Sequence, residues 1–250
     1  MKLKICTYNI HKGFSQFNQR MVVHDLRERL RTLDADVAFL QEVQGMNIRH
    51  EVAHVDWPPA PQHEFLAHEV WHQTAYGQNA VYDHGHHGNA ILSRFEIVSS
   101  FNQDVSDHRF ERRGLLHCEV GLPHMSETAH CICVHLGLTG AGRRRQMEAL
   151  AERVEQIVPP GAPLIIAGDF NDWLNRADHV LARRLGLVEV FSVGNNGRLA
   201  RSFPCRLPML RLDRIYVRGF EIERADVHCG PLWSKISDHA PLTAELVPAL

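Results

Sequence analysis

Apolar residues recur along this chain at strand-like and helix-like spacings, and polar residues of a few kinds sit where those rhythms stop. Leu3, Ile5 and Thr7 alternate with Lys4, Cys6 and Tyr8 before Asn9-Ile10-His11. This predicts a strand that delivers an amide and an imidazole to a loop. Over residues 19–33, Val22, Val23, Leu26, Leu30 and Leu33 have helical spacing, and Asp34-Ala35-Asp36 closes the helix. Residues 37–40 (VAFL) form a second buried run ending on Gln41-Glu42-Val43. Residues 44–80 contain a proline-rich loop around Trp57 and show no readable strand on either side. His84, His86 and His87 fall in DHGHHGN, which reads as a glycine-flanked loop. Strands are predicted at 89–94, 96–101, 114–120 and 129–136. Strands in succession without helices favour antiparallel pairing.

Residues 137–142 are glycine-rich and break the pattern. Met147, Leu150, Val154 and Ile157 then repeat at helical spacing until Pro159-Pro160-Gly161. Four apolar residues, 164–167, form a buried strand that meets Gly168-Asp169-Phe170-Asn171-Asp172. Gly168 reads as a tight turn, with Asp172 able to cap a following helix. That helix is predicted near 174–185, a strand near 187–191, a turn at 194–197, and strands at 211–217 and 220–228. Ser237-Asp238-His239-Ala240-Pro241-Leu242 opens the last strand. With no linker or shift in composition, residues 1–250 read as a single domain. Two sheets packed face to face with helices outside are the expected architecture.

Composition narrows the class. The 250 residues are 44% hydrophobic and 22% charged, ordinary for a soluble globular protein, and can bury a sizeable core. The formal net charge of −2 gives no basic surplus for wrapping nucleic acid, yet leaves room for a nuclease that meets its substrate briefly. Six cysteines form no CxxC pair, and most lie in apolar runs, as reduced thiols do. No signal-peptide core or membrane-length apolar run is apparent, so a cytoplasmic protein without a transmembrane segment is expected.

Eight polar residues end or interrupt apolar runs: Asn9, Glu42, His135, Asp169, Asn171, Asp213, Asp238 and His239. Any one of them alone has a structural explanation. A charge in such a position is costly unless paired or bound to an ion. Together they form one chemical set: hard oxygen donors suited to magnesium or manganese, and imidazoles suited to proton transfer. No GxSxG-type nucleophile motif is present.

Seven segments resemble motifs of the endonuclease/exonuclease/phosphatase superfamily, and they occur in that family's order: TYNIH (7–11), QEV (41–43), GNAILSR (88–94), VHL (134–136), GDFN (168–171), LDRIY (212–216) and SDHAPL (237–242). The resemblance implies an α/β (α+β) fold, a four-layer α/β/β/α sandwich of two mostly antiparallel sheets like that of pancreatic deoxyribonuclease. It implies a Mg2+ or Mn2+ cofactor held by Glu42, with Asn9 and Asp238 nearby. Asp169 would orient or deprotonate water, Asn171 would hold a phosphate oxygen, and His239, fixed by Asp213, would face the scissile phosphate. His135 matches a second histidine assisting the phosphate or leaving group. Asn89 and Arg113 are further candidates for substrate contact. The implied activity is metal-dependent phosphodiester hydrolysis, on nucleic acid or on a lipid headgroup or other small phosphoester. The intact acid and histidine set argues against a catalytically silent binding module, and no stable protein partner is expected.

Other features carry less weight. His84, His86 and His87 lack a ligand set at zinc spacing, and their loop, which immediately precedes Asn89, reads as a substrate contact sooner than a metal site. His63, His68 and His72 are expected on a solvated surface, and Cys131 and Cys133 in core packing. Arg143, Arg144 and Arg145 read as a solvated helix face that could touch an anionic substrate. A hydrophobic rim beside the site would favour a lipid substrate, and a basic groove would favour DNA.

Overall fold

A computed structural model describes residues 2–123, 125, 127–174, 177–194 and 197–249. In chain order the strands and helices are β1 (Leu3–Asn9), α1 (Val23–Leu33), β2 (Val37–Asn47), α2 (Ile48–Ala53), α3 (Gln62–Ala67), β3 (Gln73–Tyr82), β4 (Gly85–Ser93), β5 (Ile97–Asp104), β6 (Gly114–Val120) and β7 (Ala129–His135). They continue with α4 (Gly140–Ile157), β8 (Leu164–Asp169), α5 (Ala177–Arg183), β9 (Val188–Glu189), α6 (Val190–Gly194), β10 (Asp213–Arg218), β11 (Phe220–Val227) and β12 (Leu242–Pro248).

The strands form two six-stranded sheets, ordered β11-β12-β1-β2-β4-β3 and β5-β6-β7-β8-β10-β9. Each has one parallel pair at its centre, β1–β2 and β7–β8, and is antiparallel elsewhere. The parallel pairs need crossovers, supplied by α1 and α4. Alternation along β1 sends Leu3 and Ile5 to a core between the sheets, with Phe39, Cys131, Cys133, Ile165 and Ile215. Cys6 and Tyr8 point the other way, against Leu26 and Leu30 of α1. On the second sheet, Ile132 and Ile166 meet Leu150 and Val154 of α4. Three apolar layers thus separate four layers of structure, the expected α/β/β/α sandwich.

Several local expectations change. β2 runs to Asn47, well past VAFL, because a bulge between Leu40 and Val43 absorbs Glu42 and lets pairing with β4 resume. His86 and His87 lie within β4 rather than on a loop, paired to β2 and β3. Residues 44–80 hold α2, α3 and β3. Gly168 makes no turn: it lies in β8, where a Cβ would sit 1.9 Å from the Val134 carbonyl oxygen. Helix α4 begins at Gly140, capped where Thr139 Oγ1 accepts from Gly142 N at 3.1 Å. The strand expected at 187–191 shortens to Val188–Glu189 before α6. Asn195 and Asn196 of the predicted turn, and Asn175 and Arg176 of the predicted helix, lie outside the described residues. His63 is half-buried and stacks on Tyr76 with centroids 4.8 Å apart, whereas His68 and His72 are exposed. All six cysteines are free, and Cys131 and Cys133 lie in the inter-sheet core. Among the described residues, no helix is long and apolar enough to cross a membrane.

Candidate active site

Strand register assembles the site. The parallel β1–β2 pair places Asn9 beside Gln41, and the parallel β7–β8 pair places His135 beside Asp169. The antiparallel β8–β10 pair places Asp213 on the other side of Asp169. Ser237 Oγ donates to the Asn9 carbonyl at 2.8 Å and also accepts from His239 N at 3.2 Å. The segment carrying Asp238 and His239 is thereby fastened to the end of β1. The carboxyl ends of both central parallel pairs therefore converge on one edge of the sandwich.

Asp169 is the centre of the cluster. Its Oδ2 accepts from Asn9 Nδ2 at 3.2 Å and lies 3.5 Å from His135 Nε2 and 3.8 Å from His239 Nε2. Its Oδ1 accepts from Asn171 N at 2.9 Å. His239 Nδ1 sits 2.7 Å from Asp213 Oδ2, so the imidazole is held between two buried carboxylates. Burial opposes charge on His239, but Asp213 and then Asp169 outweigh it and push its pKa up to about 10. Burial pushes the Asp169 carboxyl up to about 6, against the pull of His239. His135 is held neutral: burial foremost, then Arg113 and His239, keeps it well below its ordinary range. The two histidines therefore differ in charge although both are buried beside the same carboxylate.

Around this core, Asp238 Oδ1 pairs with His11 Nδ1 at 3.0 Å. That hydrogen bond raises the His11 pKa. Burial would raise Asp238, but His11 and His239 hold it below the usual carboxylate range. Glu42 is half-buried, with Oε1 3.4 Å from Asn9 Nδ2 and Oε2 3.7 Å from Lys12 Nζ. Arg113 shares a cleft with Glu42, Lys12 and His87, its Nε donating to the Leu136 carbonyl and Nη2 to Glu111. Asn89 is placed differently from a surface contact. It is 1% exposed, and its amide donates to the carbonyls of Gly114 and Cys133, clamping the two sheets beneath the cleft. Asn171 spends one amide hydrogen on the Leu136 carbonyl at 3.0 Å, leaving the other. Asp172 is structural, accepting from Ala177 N at 2.8 Å at the start of α5 and pairing with the buried Arg214.

The sequence matches the profile of the Endonuclease/Exonuclease/phosphatase family over residues 6–239. The chain belongs to that family. It is 46% identical over 243 residues to protein YbhP of Escherichia coli (strain K12), covering 97% of this chain and 95% of that one. In fold it resembles the human Nocturnin catalytic domain, solved with a bound sulfate anion (TM-score 0.75, 16% identity, 99% of this chain and 95% of that one). It also resembles a mannosyl-6-phosphatase of Bacteroides thetaiotaomicron (TM-score 0.70, 17% identity, 98% and 99%).

Among endonuclease/exonuclease/phosphatase chains divalent metals are general, and the donors at this edge fit one. Glu42, Asn9 and Asp238 offer hard oxygens without a thiolate, the set that magnesium or manganese takes. Glu42 also has φ 56°, a left-handed conformation inside a strand bulge that turns its side chain out of the ladder. A tighter group, Asp169, Asp213 and His239, has ligand atoms within 4.8 Å of one another. There the 2.7 Å Asp213–His239 contact already commits the imidazole to an acid, which suits a proton-holding pair better than a cation.

Sequence reasoning missed the parts of the site that backbone conformation creates. His11 and Lys12 have φ 46° and 58°, which fold the chain back so that one reaches Asp238 and the other Glu42. His87, which burial and then Lys12 hold down at about 4, and Phe203, whose ring lies 5.0 Å from that of His239, also border the site. His11 was legible as the imidazole that β1 delivers, but its pairing with Asp238 was not. Lys12 and Phe203 carry no signal in the sequence.

Proposed function

We propose that this chain is a Mg2+- or Mn2+-dependent hydrolase that cleaves the P–O bond of phosphodiesters with water. The observation that carries the proposal is the line Asp213–His239–Asp169, with contacts of 2.7 and 3.8 Å, buried at the end of the central strands. Hydrolysis of a phosphodiester builds negative charge on non-bridging and leaving oxygens. His239, kept cationic by Asp213, supplies a fixed positive charge toward them. Asp169, its carboxyl pushed up to about 6 by burial, accepts the proton of a water held in line. Neutral His135 contributes a hydrogen bond beside it, and the spare amide hydrogen of Asn171 goes to a phosphate oxygen. A divalent ion held by Glu42, Asn9 and Asp238 would supply Lewis-acid stabilisation of phosphate charge. Arg113 and Lys12 line the approach, and Asn89 clamps the two sheets beneath it. The sulfate bound by Nocturnin and the phosphatase activity named for the Bacteroides protein support a phosphoester as ligand.

Purified protein should hydrolyse bis-p-nitrophenyl phosphate with magnesium or manganese, stop in EDTA, and recover on metal addition. Activity that survives EDTA removes Glu42 from its role. Near-normal activity in His239→Ala rejects the site.

A further inference from the structure

Large apolar side chains are not scattered evenly over this surface. Of the 21 exposed on the described residues, all but five (Val98, Phe101, Ile157, Val188 and Val193) lie on the strand ends, connections and short helix α2 at the edge that carries the site. A monomer's largest apolar patches usually mark a contact surface. Leu138 follows His135 by three residues, and Trp173 and Leu174 follow Asn171 by two and three.

The most pronounced element is a hairpin at residues 203–210. Leu210 N donates to the Phe203 carbonyl at 2.8 Å and Met209 N to the same oxygen at 2.9 Å, closing it. Its base is bound to the site: Cys205 N donates to the Asp238 carbonyl, Ala240 N donates to that of Ser202, and Phe203 lies against His239. Its outer face holds Leu207, Met209 and Leu210, exposed by 67%, 58% and 39%. Residues 197–211 include four arginines and no acid, although the whole chain carries net −2. Arg201 and Arg206 are exposed beside the apolar side chains.

We propose that this edge docks on an anionic phospholipid surface through the 203–210 hairpin. A rigid loop with aliphatic tips and flanking arginines matches an acyl boundary beneath anionic headgroups. Single-stranded nucleic acid would complement the charge, but it is gripped by aromatic platforms. The hairpin tip offers leucines and a methionine, which stack poorly on bases. Resting on the hydrolase reading, this makes the substrate a phosphoester presented at the lipid–water boundary, within reach of His239.

The test is co-sedimentation of the full chain with vesicles of phosphatidylcholine containing about a third phosphatidylglycerol, against pure phosphatidylcholine. The expected result is binding to the anionic vesicles that weakens with salt. The variant Leu207→Ser/Met209→Ser/Leu210→Ser should bind about tenfold more weakly or worse. Arg201→Gln and Arg206→Gln should each cost about fivefold. Val98→Ser/Ile157→Ser should bind as the parent does. The substituted tips are solvent-exposed, and an unchanged near-ultraviolet circular dichroism spectrum verifies that the variant is folded. Absent binding, equal binding by the triple-serine variant, a dimer that the triple substitution dissolves, or hairpin-dependent capture of an oligonucleotide without vesicle binding would each overturn the proposal. Asp169→Ala should sediment like the parent. Turnover of bis-p-nitrophenyl phosphate without vesicle binding rejects docking and leaves the hydrolase. Vesicle binding without any turnover rejects the hydrolase and leaves docking.

Discussion

Replacing Asp213 by asparagine keeps the size of the side chain that faces His239 Nδ1 at 2.7 Å but removes its charge. Asp213 is the largest influence raising the His239 pKa, while burial is a still larger one lowering it. Holding the proton from an ordinary 6.5 up to about 10 corresponds to on the order of 5 kcal/mol. With Asp213 neutral, only Asp169 and Asp238 oppose burial, and the His239 pKa should fall toward neutrality. Two consequences follow in metal-free protein in EDTA. The His239 ring proton, followed by NMR, should titrate near pH 10 in the parent and at least two pH units lower in Asp213→Asn. Stability should follow the same sign. A raised histidine pKa stabilises the fold fully below pH 6.5, and the contribution is lost as pH rises through about 10. The variant should therefore be a few kcal/mol less stable near pH 7, with the gap closing at high pH. With metal restored, kcat/KM for bis-p-nitrophenyl phosphate at pH 8 should fall about 100-fold or more. An unshifted titration in the variant would refute the claim that Asp213 makes His239 cationic.

Asp169→Ala should lower turnover by about a thousandfold or more with an unchanged thermal transition midpoint to within a few degrees, read by paired kinetics and melting curves. Glu42→Gln should raise the magnesium concentration for half-maximal activity by tenfold or more, and an unchanged metal requirement would remove Glu42 from the ion's donor set. Away from the site, burial pushes the Glu189 carboxyl up to about 7 while its Oε2 accepts from Ser192 N at 2.9 Å. Because the folded pKa is raised, its favourable contribution is full below about pH 4.5 and lost as pH rises through 7. Glu189→Gln should therefore stabilise the protein by on the order of 2–3 kcal/mol at pH 8 and little at pH 4.5, in denaturant titrations at both values.

The fold and the centre of the site were legible for one physical reason. The central strands are largely buried on both faces, so they read as mostly apolar runs, and a carboxylate, amide or imidazole at their end stands out. Asn9, His135, Asp169 and Asp213 are all of this kind; register aligns the last three, and packing of the two sheets brings Asn9 to Asp169. Where burial is partial the signal fades. Helices α2 and α3 are only six residues long, too short for helical spacing to show. The start of β4 is masked by Gly85, Gly88 and the histidines between them. Glu42 was recognised by its neighbours, but the bulge that turns it outward has no sequence pattern. Asn89 shows another limit: its place within GNAILSR gave no sign that its buried amide joins the two sheets. The 203–210 hairpin was invisible, because its identity lies in what surrounds it rather than in its letters.

The most direct test of the central claim is hydrolysis of bis-p-nitrophenyl phosphate in water enriched in oxygen-18, with magnesium, followed by mass spectrometry of both products. Water attack at phosphorus predicts one heavy oxygen in p-nitrophenyl phosphate and none in p-nitrophenol, and no product above background from His239→Ala. Heavy oxygen in the phenol, or equal product from His239→Ala, would contradict the account.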